Sequence, residues 1–95
     1  MKIVIACGNG IGSSLACKMA VESVLKDLGT SVQVDHCSML SASSTRADIL
    51  MGGINFKTQF DQFSGYKYKI YLNSLVNRNE IRDKLVPVLS ENGII

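Results

Sequence analysis

Cys7 closes a short apolar run, Lys2-Ile3-Val4-Ile5-Ala6, and is followed at once by Gly8-Asn9-Gly10-Ile11-Gly12-Ser13-Ser14. A thiolate is a strong nucleophile, and a helix amino terminus lowers a thiol pKa from roughly 8.5. The glycines accept positive φ without steric cost, so the backbone can curl closely around whatever the sulfur holds. Where such a loop opens a helix, the first N–H groups have no partner and the helix dipole favours an anion. Ser13 and Ser14 add hydroxyl donors, and either can cap the helix. The pattern predicts a reactive cysteine in a loop shaped for a phosphate or similar anion.

The elements around it must bring that thiol to a sheet edge. The Val/Ile run suits a parallel strand covered on both faces. Leu15, Met19, Leu25 and Leu28 are expected near one helical face, with Gly29 as the stop. Cys7 then lies at the carboxyl end of the first strand, where open α/β sheets place ligands. Cys17 and Cys37 carry no such context and read as structural thiols.

Three loop types compete for the segment. A Walker loop needs a lysine after its last glycine, and none stands there. A dinucleotide fingerprint finds Gly8, Gly10 and a suggestive Asp35, but Ser13 takes the third glycine position and a thiol has no part in nicotinamide chemistry. The phosphate loop of low-molecular-weight tyrosine phosphatases resembles the segment more closely, with a cysteine, five residues, then arginine and Ser/Thr. Here Ser13 replaces the arginine that would clamp a phosphate bidentately, removing a large electrostatic contribution to ester cleavage. The loop can hold a phosphoryl group on sulfur without the usual means of hydrolysing its ester. That describes a carrier.

Cys7 to Leu15, on the first strand–helix turn of a chain of 95 residues, resembles the IIB component of the bacterial phosphoenolpyruvate-dependent sugar phosphotransferase system. The ascorbate type is nearest and the galactitol type next. The likeness extends through Lys18-Met19, Glu22, Leu28-Gly29, the strand through Val34, and Ala47 to Leu50. It implies that Cys7 is the phosphocysteine site and that Gly8, Asn9, Gly10, Ile11, Gly12, Ser13 and Ser14 form its phosphate loop. It further implies a IIA partner whose phosphohistidine charges Cys7, and a membrane-embedded IIC partner that presents the sugar. The chain would be cytoplasmic, held peripherally at the inner face of the membrane through IIC. Asn9, Ile11 and the Ser38 to Arg46 loop are the expected rim that both partners meet. A stand-alone phosphatase and a passive anion-binding regulatory module remain as alternatives.

Composition fits this reading. Ninety-five residues favour one domain spanning 1–95, and 46% hydrophobic content suffices to line both sides of a small sheet. No run approaches the roughly 20 apolar residues that span a bilayer, and no signal-peptide pattern is visible. Three cysteines without metal-ligand spacing suit a reducing cytosol, so neither metal nor cofactor is expected. A net charge of +2 with scattered lysines gives no case for nucleic acid.

The remaining chain supplies the scaffold. Ser31 to His36 alternates as a second strand, with His36 near its end. Ser38 to Thr45 reads as a loop with room for a helical turn. Asp48 to Met51, stopped by Gly52-Gly53, gives a third strand. Asn55 is placed to cap a helix carrying Phe56, Phe60 and Phe63 on its core side. Tyr68 to Leu72 is the fourth strand. Asn77 with Glu80 forms a capping box for a last helix whose inner face is Ile81, Leu85 and Leu89, with Pro87 expected to kink or end its first segment. The order predicts a three-layer α/β fold with a four-stranded parallel sheet. Right-handed crossovers together with the family resemblance imply the strand order 2-1-3-4 and a phosphatase-like or flavodoxin-like type.

Overall fold

Strand β1 (Lys2–Cys7) is central, and Ile3 to Ala6 are fully or almost fully buried, which is why its sequence is apolar on both faces. The computed structural model describes residues 1–7 and 11–95, the side chains of residues 7, 11–14 and 39 excepted. Helix α1 (Ile11–Asp27) leads to β2 (Gln33–Ser38), and the short α2 (Met39–Ala42) to β3 (Ala47–Gly53). A 3-10 turn (Ile54–Phe56), α3 (Lys57–Asp61), β4 (Tyr66–Leu72) and α4 (Arg78–Glu91) complete the order. The strands form one parallel sheet ordered β2-β1-β3-β4, as expected.

Helices cover both faces. α1 and α4 pack on one side, where Ile3, Ile5, Ile49, Met51, Ile70 and Leu72 meet Val21, Val24, Ile81, Leu85 and Leu89. On the other side Val4, Ala6 and Leu50 meet Ala42 and Phe60. Alternate residues of β1 thus serve different cores, as the period of two requires.

Several local expectations change. Cys17, Val21, Val24 and Leu25 bury their side chains on α1, whereas Leu15 and Met19 are 42% and 63% exposed. At 100° per residue, Leu15 and Met19 lie opposite the Cys17–Val21–Val24–Leu28 stripe, so the expected single face does not exist. Gly29 does stop α1, with φ of +72° and the Thr30 N–H donating back to the Leu25 carbonyl. Asn55 is no cap, because it falls inside the 3-10 turn and α3 starts from Phe56 without a side-chain cap. Pro87 does not end α4, which continues to Glu91 with the proline ring on the exposed side. β2 begins and ends two residues later than its alternation suggested, and β4 starts two residues earlier.

Candidate functional site

The topology singles out one point on the sheet. From β1 the chain moves to β2 on one side, while from β3 it moves to β4 on the other, so the carboxyl ends of β1 and β3 flank a switch point. Cys7 is the last residue of β1 at that point, and α1 begins at Ile11. The rest of the sequence-predicted loop lies partly or wholly outside the described residues. That holds for Gly8, Asn9 and Gly10 entirely, and for the side chains of Cys7, Ile11, Gly12, Ser13 and Ser14.

The walls of the point are described. On the β2 side Cys7 pairs with Ser38, whose hydroxyl is occupied as the N-cap of α2, accepting from the Ser41 N–H at 3.2 Å. On the β3 side Ile5 pairs with Met51, and the same register continued sets Gly52 and Gly53 beside Ala6 and Cys7. A Cβ at Gly52 would press on the Phe60 ring and come within 2.8 Å of the Ala6 carbonyl oxygen. Gly52 therefore lets β3 and α3 close up against the end of β1.

The β4–α4 connection also leaves the carboxyl edge of the sheet, and a single carboxylate holds it. Glu80 accepts from the Asn73 N–H (2.7 Å), the Asn73 side-chain amide (2.9 Å), the Ser74 N–H (2.9 Å) and Lys84 Nζ (2.9 Å). The two backbone donors are the main reason its pKa falls from 4.5 to about 2. Its own N–H donates to Asn77 Oδ1 at 3.1 Å, the expected half of the capping box. The carboxylate reaches past the N-cap to Asn73 and Ser74 instead of closing the box. Sequence reading found the cap but not this anchor, which depends on how the chain turns back.

Other candidates separate. His36 pairs with Ile5, two residues short of the strand end and half-buried. Arg46 leaves the proposed rim, because it precedes β3 at the amino edge of the sheet, against Gly65. Only the Ser38 end of that loop stands beside Cys7. Asp35 lies three residues before the end of β2 and pairs with Lys2 at 3.6 Å, so the acid that a dinucleotide site needs is not at the crevice. Cys17 is buried in the core, and burial raises the Cys37 thiol pKa, which suits the structural reading of both. Among the described residues no cluster of ligating side chains could hold a metal, and no helix is long and apolar enough to cross a membrane.

Comparison with known proteins matches this architecture. Residues 2–86 match the family model of the phosphotransferase system lactose/cellobiose-specific IIB subunit. An ascorbate-specific phosphotransferase system EIIB component from Mycoplasma pneumoniae is 35% identical over 91 residues, covering 94% of this chain and 95% of its own. EIIB components of the same description from Salmonella typhimurium and Escherichia coli O157:H7 are each 27% identical over 94 residues, covering 97% of this chain and 92% of theirs. With a family model spanning most of the chain and a relative above 30% identity end to end, this protein belongs to the IIB family of the sugar phosphotransferase system.

Proposed function

We propose that this chain is a phosphoryl carrier in which Cys7 accepts a phosphoryl group from the phosphohistidine of a IIA protein and passes it to a sugar held by a IIC transporter. The observation that carries the reading is the place of Cys7, at the carboxyl end of the central strand, on the switch point, with three residues between it and a seventeen-residue helix. In the first transfer the Cys7 thiolate attacks phosphorus in line, an S–P bond forms, the N–P bond to histidine breaks, and the departing ring nitrogen takes up the proton that the thiol gave up. In the second, a sugar hydroxyl attacks phosphorus, an O–P bond forms, the thiolate leaves, and the hydroxyl proton passes to solvent. Such transfers need positioning and charge stabilisation more than covalent assistance. Gly8 to Ser14 would supply this through loop amides, the α1 dipole and the two serine hydroxyls.

The sugar is an L-ascorbate-like acceptor, on the names of the relatives that match end to end. The family model carries a lactose/cellobiose description, and the galactitol type finds no support in these comparisons. Choice of sugar rests chiefly with IIC.

Incubation with phosphoenolpyruvate, the general phosphotransfer proteins and the cognate IIA, followed by mass spectrometry, tests the carrier. One phosphoryl group mapping to Cys7 and absent from Cys7→Ser is expected. Phosphate on His36, or undiminished sugar uptake by Cys7→Ser, overturns it. The phosphatase alternative requires rapid turnover of a chromogenic phosphate ester, which the serine at position 13 argues against.

A further inference from the structure

Strand β4 is the last of the sheet on its side, so among the described residues no strand pairs with its outer edge. The Tyr71 carbonyl accepts from the Lys84 ammonium, which places it away from β3. Backbone groups of alternate residues share one edge of a strand, so those of Lys67 and Lys69 face outward with it. Such an edge is a template for a further strand. Along it runs a hollow of about 390 Å³, lined by Ile54, Lys69, Ile70, Tyr71, Lys84 and Val88. Ile70 and Val88 belong to the core that α4 covers, whereas Tyr71 belongs to the α3 side. The hollow therefore takes in both flanks of the edge. Ile54, on the turn that follows β3, is 48% exposed there.

We propose that an extended segment of a partner protein, in which apolar and acidic residues alternate, adds to β4 as a fifth strand. Side chains of a strand alternate between its faces. In one register the apolar residues of the segment fall on the Ile70–Val88 flank and its acids on the flank of Lys69. Main-chain hydrogen bonds to the edge then supply affinity, and the hollow supplies selection. Lysines on an edge strand also deter unwanted pairing, but deterrence alone leaves no apolar hollow to fill. The edge lies two strand spacings, roughly 10 Å, from β1. A segment bound there holds its owner beside this chain and leaves the end of β1 uncovered.

Charge selects the occupant. Lys84 is already shared between Glu80 and the Tyr71 carbonyl. Lys69 forms no ion pair among the described residues. Its charge favours the ionised form of Asp61, but the hydrogen-bond partners of that carboxylate are Lys57 and Tyr71. Lys67 donates to the Asn92 side-chain oxygen at 3.3 Å and lies over the Tyr68 ring, so it too is held by no acid. Acids on an incoming strand opposite Lys67 and Lys69 gain cross-strand pairs. A second copy of this chain is disfavoured, because β4 against β4 about a two-fold axis sets lysines together.

The probe is a fluorescein-labelled synthetic peptide in which valine and glutamate alternate. Fluorescence anisotropy measures its binding to the full chain, and amide exchange locates it. Saturable binding is expected, with exchange slowed at the Lys67, Lys69 and Tyr71 amides. Lys69→Glu sets like charges opposite each other and is expected to weaken binding about five- to tenfold. Ile54→Asp is expected to weaken it as well. Ile54 is exposed and outside both cores, so this variant keeps the test open should Lys69→Glu fail to fold. The same peptide with every backbone nitrogen methylated cannot donate to the edge and is expected not to bind. Absence of binding at about 1 mM peptide overturns the proposal. So does equal binding of the methylated peptide, or of one with lysine in place of glutamate. Wild-type affinity in the folded variants, or protection at the ends of β1 and β3 in place of the β4 edge, does the same. A wild-type dimer in sedimentation that Lys69→Glu disrupts would give the edge to a second copy, and would also overturn it.

Discussion

Glu80 shows how one side chain governs the connection from β4 to α4. Its carboxylate ties down the Asn73 and Ser74 amides, and its pKa of about 2 records how strongly they favour the charged form. Because the folded pKa lies below the ordinary 4.5, the contribution is complete above that pH and disappears as pH falls from 4.5 towards 2. Glu80→Gln is expected to cost roughly 1.5–3 kcal/mol near neutrality, the range for hydrogen bonds to charged groups. Urea titrations at a series of pH values check this, since the gap between variant and wild type must close below pH 4.5. A gap independent of pH would contradict the assignment. Gly52 acts near the end of β3. Gly52→Ala presses on a fully buried ring and on the Ala6 carbonyl, and is expected to lose about 1–3 kcal/mol as overpacking and to slow charging of Cys7. Gly53→Ala meets first the exposed Asn55 side chain, which can swing aside, so it is the milder control in the same denaturation and transfer assays.

At the scale of elements, α3 has five residues and no side-chain cap, so its own hydrogen bonds cannot sustain it. Packing does. Phe60 is fully buried, with the Phe63 and Tyr71 rings each 6.0 Å away, and the Tyr71 hydroxyl donates to Asp61. Phe60→Ala is expected to cost about 3–5 kcal/mol, read from the urea midpoint, and to release α3 from β4. A loss below 1 kcal/mol would mean that the Asp61 contacts with Tyr71 and Lys57 hold the helix instead. The same element shows where sequence pattern is informative. The Phe56–Phe60–Phe63 spacing pointed to the core, and the strand order came partly from right-handed crossovers and partly from the resemblance to the IIB family. Asn55 misled because a cap depends on where the backbone first turns helical, and the turn begins at Ile54. Leu15 and Met19 misled because residue type alone does not distinguish a core stripe from an apolar stripe turned outward on the same helix. For the candidate site, the place of Cys7 at the end of the first strand was legible from the apolar run before it, whereas the Glu80 anchor joins residues six and seven apart through a turn that no motif encodes.

The whole molecule is asymmetric about its sheet, and this has a consequence for transfer. The α1–α4 side carries the larger core, while α2 and α3 rest on a smaller one built around Phe60, Leu50 and Ala42. Few buried contacts make a segment open without global unfolding. Amide exchange is therefore expected to be faster in α2 and α3 than in α4 and in β1, whose Ile3 to Ala6 are sealed between both cores. On this expectation the strand bearing Cys7 stays fixed while α2, with Leu40 on its surface, opens more readily. Adding the phosphorylated donor should then slow exchange in residues 39–42 and in the first turns of α1, and leave residues 62–65 at the opposite edge unchanged. Uniform exchange across both layers would refute the asymmetry. Donor protection at residues 62–65 in place of 39–42 would instead place recognition at the sheet edge away from Cys7.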